Sequence, residues 1–247
     1  VSRTLLVTGA AKRLGAAIAR RLAAVGHRVV VHYGHSRDDA EALAAAIGGV
    51  AVPGDLADAD GVRALFAAAR EVSGGRIDGI VNSASRFEFD RPEAFDPALL
   101  QSLMATNLAA PVLLAGELAR QPDLDDGVVV NLLDQKLANP NPDFFSYTLT
   151  KTALEGATVM LAQALAPRIR VNAVAPGLTL PSGGQSEAEF AAVASRNLLR
   201  RPVGAEAVAD AVAWLAEARS VTGQTLFVDC GQRFVRSDHD VMFEREG

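Results

Sequence analysis

The chain has 247 residues, of which 49% are hydrophobic and 21% charged, and a net charge of -5. That balance fits one soluble α/β domain near the upper size of a single core, and it excludes the basic footprint of a nucleic-acid binder. Cys230 is the only cysteine, which excludes an intrachain disulfide and suits a reducing compartment. No unbroken apolar run reaches the ~18 residues of a membrane span and no signal-peptide pattern opens the chain, so a cytoplasmic protein without a membrane partner is expected.

Residues 3–8 read as a strand, followed by Thr8-Gly9-Ala10-Ala11-Lys12-Arg13-Leu14-Gly15 and a helix over about 14–25. Strand, glycine turn and helix form the context of a dinucleotide-binding fingerprint. Gly9 permits the turn, Gly15 lets the helix lie close to the sheet, and the free N–H groups around Leu14 suit a pyrophosphate. Arg13 stands where a middle glycine is usual and can bring its guanidinium to a phosphate. The second strand, 28–33, ends in Tyr33-Gly34-His35-Ser36-Arg37. An acid there would bind a ribose hydroxyl and repel a 2′-phosphate. His35, Ser36 and Arg37 instead favour NADP(H). His32 and His35 have no metal-like neighbours in the sequence, so no metal is expected. Asp38 and Asp39 are placed to start the next helix, where its dipole favours acids.

A helix over 38–47, a strand over 50–53, a helix over 59–72 and a strand over 77–82 follow. Asp55, beside Leu56, suits either an adenine amino group or a turn or helix cap. Asn82-Ser83-Ala84 is small enough for backbone to approach a cofactor. Ser85 and Phe87 come next, and Phe87 is either a flat face for a ring or a core or lid residue. Residues 99–120 hold one or two helices. Asn107 sits mid-helix, where an amide competes with the backbone. It therefore holds a water, distorts the helix, or is an ordinary satisfied amide.

The apolar strand Val128-Val129-Val130-Asn131-Leu132-Leu133 leads to Asp134 and then to Tyr147 and Lys151, which open a helix running to about 166. Residues four apart share a helix face. An ammonium beside a phenol is expected to lower its pKa, which makes Tyr147 a candidate acid–base group. A strand over 168–175, Pro176-Gly177, a lid-like segment at 178–201, a helix over 205–218 and a strand over 225–229 close the domain. The tail, 231–247, suggests a frayed end or a segment docking on a neighbouring subunit near that subunit's site. Alternating strands and helices imply a Rossmann-type, doubly wound parallel sheet of about seven strands with helices on both faces, in a single domain over 1–247.

These pieces resemble the short-chain dehydrogenase/reductase family over nearly the whole chain, through Thr8-Gly9 with Gly15, Asp55, Asn82-Ser83-Ala84, Asn107, Tyr147 with Lys151, and Pro176-Gly177. The resemblance implies nicotinamide-dependent redox chemistry, catalytic roles for Asn107, Tyr147 and Lys151, and a homotetramer. Asp134 lies thirteen residues before Tyr147, where the family usually has Ser. That departure, the 8–15 loop and Ala84-Ser85-Arg86-Phe87 resemble the pteridine reductases. In that subfamily Phe87 would stack on the pterin, with Arg13 and Ser85 lining the phosphate side. Cys230 stands where Gly is usual.

A carboxylate accepts hydrogen bonds, whereas a serine hydroxyl donates to a carbonyl oxygen. Asp134 therefore suits the donor-rich edge of a pterin or folate-like substrate, whose C=N bond needs a proton as well as a hydride. The alternative is a reductase of a carbonyl substrate such as a 3-oxoacyl thioester or a sugar. A non-catalytic NADP(H)-binding regulator is the third possibility, and the intact Asn107, Tyr147 and Lys151 argue against it.

Overall fold

The computed structural model describes residues 2–181 and 186–240. Seven parallel strands form one sheet in the order β3-β2-β1-β4-β5-β6-β7. They are β1 (Thr4–Thr8), β2 (Arg28–Tyr33), β3 (Val50–Pro53), β4 (Gly79–Asn82), β5 (Gly127–Leu132), β6 (Ile169–Pro176) and β7 (Thr225–Val228). Alternation along each strand sorts side chains to two faces. Leu5, Val7, Val29, Val31, Val128 and Val130 face one way, against α1 (Arg13–Ala24), α2 (Arg37–Ile47) and α8 (Ala205–Glu217). Leu6, Val30, Val52, Ile80 and Val129 face the other, against α3 (Ala59–Val72) and α5 (Ala110–Ala119). Valine runs with both faces buried suit a parallel sheet covered on both sides.

Strand order turns between β1 and β4. Strands 1 and 4 therefore send their connections to opposite faces, and a crevice opens beyond their carboxyl ends. In register, Thr8 lies beside Asn82 and Tyr33 beside Pro53. The residues expected to hold a cofactor thus lie along one edge.

The stretch expected to hold one or two helices is one continuous helix interrupted in register. It comprises α4 (Pro97–Met104), a π turn (Ala105–Ala109) and α5. Asp96 caps its start by accepting from the Ala98 N–H. Over Pro97–Ala119 this helix is long and apolar enough, by length and composition alone, to cross a membrane. That corrects the expectation of no such segment, which counted unbroken apolar letters. Leu103, Leu114, Ala115 and Leu118 are buried, the last three against the sheet, so the helix serves as a layer of this domain. The helix α6 (Phe145–Leu165) packs beside β6. Within the segment expected as a lid, α7 (Glu187–Ala194) opens with a capping box of Ser186 and Glu189, and residues 182–185 lie outside the described residues.

Candidate active site

The glycine turn after β1 is built for close approach. Gly9 has φ +62, and a Cβ there would meet the Ala84 Cα at 2.8 Å. A Cβ on Gly15 would meet the Gly9 carbonyl oxygen at 2.2 Å, so α1 starts hard against the turn. Arg13 keeps a left-handed backbone, φ 54, so the arginine has taken over the conformation of the glycine it replaces. Its guanidinium donates to the Pro181 carbonyl. The first turn of α1 carries no acid and no side-chain cap, which leaves its N–H groups and positive dipole end to an anion. This cradle fits a dinucleotide pyrophosphate. Behind it, Thr8 Oγ1 accepts from the Ser83 and Ala84 N–H groups at 3.0 and 3.1 Å, fixing the small-residue turn. Asn82 gives its amide N–H to Asn131 at 2.8 Å.

Asp134, Tyr147 and Lys151 come together at the end of β5. Tyr147 donates its hydroxyl to Asp134 Oδ2 at 3.2 Å, and Asp134 Oδ1 accepts from the Lys136 N–H at 2.9 Å. Burial pushes the Asp134 carboxyl above the usual carboxylate range, partly opposed by that N–H, Lys151 and Tyr147. Burial and then the Asp134 charge push the Tyr147 phenol well above its ordinary value. This reverses the expected lowering by Lys151. The Lys151 ammonium donates to the Leu132 carbonyl at 2.8 Å and lies 5.6 Å from the Tyr147 ring centroid. Burial and the carboxylate bonded to the hydroxyl set the direction of the Tyr147 shift. Burial lowers Lys151 to about 8, with Asp134 pulling the other way.

An aromatic wall stands beside this trio. Phe87 stacks on Phe144 with ring centroids 4.0 Å apart and an interplanar angle of 17°. Its ring meets the Tyr147 ring at 4.7 Å and 89°. Phe144 precedes α6 with φ 51 and ψ 49, a backbone state that a bulky residue reaches only at a cost of about 1–3 kcal/mol. Asp90 anchors the first turn of α6 by accepting from the Ser146 N–H at 2.9 Å. Asn107 sits in the π turn with its amide fully engaged. Its Oδ1 accepts from Arg86 N–H and Ser85 Oγ at 2.8 and 3.2 Å, and its Nδ2 donates to Arg86 O and Thr150 Oγ1 at 2.9 and 3.1 Å. Asn107 is therefore both a satisfied amide and part of a helix distorted into a π turn, and it pins the segment that carries Phe87 to α6.

Arg13, Leu14, Ser85, Phe87, Asp134, Tyr147, Pro176 and Gly177 share one cleft of about 700 Å³. Gly177 packs against Asp229 and Gln232, and the Gln232 side chain accepts from the Leu178 N–H at 2.9 Å. The remaining expected cofactor residues lie farther along the edge. His35 and Ser36 follow β2, and Arg37, in α2, pairs with Glu41 at 2.7 Å. Asp38 and Asp39 fall in the first turn of α2. The side chain of Asp55 accepts from the Ala57 N–H at 2.8 Å, a local turn, with Leu56 buried beside it. Among the described residues no cluster of three His, Cys, Asp or Glu is arranged for a metal. Cys230 has φ 51, again the conformation of the usual glycine.

Residues 235–240 are held against their own chain by hydrogen bonds from Asn139 and to Asp143. They cross the cleft of their own chain, and residues 241–247 lie outside the described residues. Lys136, Asp143, Phe144 and Asp240 were not singled out from the sequence. A lysine and an aspartate stand within the Asp134–Lys151 stretch, but their burial appears only in the fold.

A family model described as Enoyl-(Acyl carrier protein) reductase matches residues 9–233. Among solved structures, FolM alternative dihydrofolate reductase 1 from Brucella canis, complexed with NADP, matches at a TM-score of 0.90 and 43% identity, with 96% of each chain covered. Dihydromonapterin reductase of Klebsiella pneumoniae is 26% identical over 233 residues, 93% of this chain and 96% of its own. The 3beta-hydroxysteroid dehydrogenase 1 of Eggerthella lenta is 38% identical over 249 residues, 93% of each. A glycine turn at the switch point of a parallel sheet and a buried Tyr147–Lys151 pair at the end of β5 agree with these matches, and the chain belongs to the short-chain dehydrogenase/reductase family of oxidoreductases.

Proposed function

We propose that this protein is an NADPH-dependent reductase of a C=N bond in a pterin or folate-like substrate. The observation that carries this is the Tyr147 hydroxyl bonded to the Asp134 carboxyl. Bound NADPH supplies the hydride, and the chain's own groups must supply a proton to the ring nitrogen. A phenol held far above neutrality keeps its proton until a base forms beside it. A carboxyl raised by burial is better suited to pass a proton on than one at its ordinary value. Asp134 and Tyr147 are therefore the proton relay, and Lys151 supplies positive charge beneath it. Phe87, backed by Phe144, offers a flat apolar face for a bicyclic ring. The NADP-bound FolM structure and the dihydromonapterin reductase support the same substrate class and cofactor.

Gly9, Leu14 and Gly15 would hold the pyrophosphate. His35, Ser36 and Arg37 would face the 2′-phosphate, Asp55 and Leu56 the adenine, and Asn82, Ser83, Ala84, Pro176 and Gly177 the nicotinamide half, with Tyr147 and Lys151 on its ribose. Arg13 and Ser85 would line the phosphate side of the substrate, and residues 178–201 would act as its lid. The steroid dehydrogenase relative favours carbonyl reduction as the second reading. We take the protein to be cytoplasmic and its working form to be a homotetramer; the exposed apolar side chains of Val112 on α5 and Leu149, Val159 and Met160 on α6 support association of copies.

NADPH oxidation with dihydrobiopterin and with acetoacetyl thioester, side by side, tests this. Wild type turns over the pterin; Asp134→Ser and Tyr147→Phe lower that turnover by about 10²-fold or more, with NADPH still bound. Turnover of the thioester alone, kept or raised in Asp134→Ser, makes the protein a carbonyl reductase instead.

A further inference from the structure

The chain beyond β7 is polar, and such an end is ordinarily frayed because nothing offsets the entropy of ordering it. Here the half-buried Asn139 and the buried Asp143 and Lys136 hold it. Asn139 Nδ2 donates to the Val235 carbonyl at 2.7 Å, and the Asp240 N–H donates to Asp143 Oδ2 at 2.8 Å. Asp143 is 1% exposed, with Arg91 at 3.0 Å from its other oxygen and His239 Nδ1 at 3.5 Å. Lys136 is also buried. Its ammonium donates to the Asp143 carbonyl, stands 3.5 Å from Asp240 Oδ2, and lies 5.6 Å from the Phe144 ring centroid.

The anchoring places the segment in the reaction cleft. Val235, Arg236, Ser237, His239 and Asp240 line the same space as Phe87, Asp134 and Tyr147. The Asp240 charge is felt there, since it contributes to raising both Asp134 and Tyr147. The cleft therefore holds two carboxylates, one bonded to the proton relay and one brought by the strap. A carboxylate only accepts, so a substrate gains from the second one by presenting N–H donors. A ketone presents none.

We propose that residues 235–240 form a wall of the substrate site in their own chain, and that Asp240 is a specificity-determining residue that accepts hydrogen bonds from the N–H donors of a reduced pterin. The proposal rests on the pterin reading above. It makes Asp143 a positioning residue that fixes the strap, and Lys136 the cation that holds the Asp240 side chain in place.

The test uses the full chain with NADPH and dihydrobiopterin. KM and kcat are measured for wild type, Asp240→Asn, Asp240→Glu and Asp143→Asn, together with dissociation constants for NADPH and, by fluorescence quenching, for dihydrobiopterin. Losing a charged acceptor raises the pterin KM and dissociation constant about tenfold or more in Asp240→Asn. The fall in kcat is smaller, and the NADPH dissociation constant holds. Asp240→Glu recovers part of the affinity, and Asp143→Asn repeats the KM effect. A purely structural tail would move NADPH binding along with pterin binding, without rescue by Glu, and that result overturns the proposal. Wild-type turnover of the pterin with KM in Asp240→Asn within about twofold of wild type overturns it as well and leaves the pterin reading standing. A wild type that reduces only acetoacetyl thioester overturns both.

Discussion

Lys151 carries its charge where water hardly reaches, at 3% exposure. Its pKa in the fold is about 8, lowered from 10.5 chiefly by burial. Charging it costs the native state on the order of 3 kcal/mol at pH 7. A cation with a depressed folded pKa carries its full penalty below that pKa and sheds it as pH rises from about 8 through 10.5. Lys151→Met should therefore raise the melting temperature at pH 7, with the gain shrinking toward pH 10, as thermal melts across that range will show. A variant less stable at pH 7 would mean that the Leu132 hydrogen bond and the Asp134 attraction outweigh desolvation. The spacing of Tyr147 and Lys151 was legible because a helix puts residues four apart on one face. The direction of the Tyr147 shift was not, because it depends first on burial and then on the charge bonded to the hydroxyl, that of Asp134, thirteen residues away in sequence.

At the scale of elements, His32 ties two connections to the strand between them. On β2, its Nδ1 accepts from the Gly9 N–H at 3.0 Å, and its Nε2 lies 3.2 Å from the Gly54 carbonyl. Both contacts are met by the neutral ring with its proton on Nε2, and burial lowers its pKa from 6.5 to about 4. Between those values the unfolded chain binds a proton that the folded one refuses, so stability is lost as pH falls from 6.5 to 4, on the order of 3 kcal/mol in total. Urea midpoints for wild type and His32→Asn should converge over that window, with the variant weaker at pH 7. A constant difference between the two would remove His32 as the titrating group. Helix and strand positions were legible because their periods differ. The π turn was not, because its cause is the set of four bonds around Asn107, whose partners lie on two other segments.

At the scale of the molecule, the outer surface of α6 is unfinished. Gly156 faces open space in the single chain, and Val159 and Met160 are 42% and 63% exposed. Covering the part of each side chain that is still exposed is worth about 1 kcal/mol, repeated at each symmetry-related copy. Met160→Glu should shift sedimentation velocity from the tetramer toward smaller species while leaving the circular dichroism of the fold intact. A wild type that sediments as a monomer would end the oligomer proposal.

The sequence by itself determined the sheet, the glycine turn and the Tyr147–Lys151 pair, because those follow from local period and fixed spacing. Gly9, Gly15, Tyr147 and Lys151 stand at spacings that can be counted along the chain, and Asp134 stands out through the family resemblance. Only the tertiary structure decided that Phe144 backs Phe87, that Asn107 is fully satisfied, and that residues 235–240 return to the cleft held by Asp143 and Lys136. Those contacts join segments up to about a hundred residues apart. Their energies come from burial and from charge in low dielectric, which exist only once the chain has closed around them.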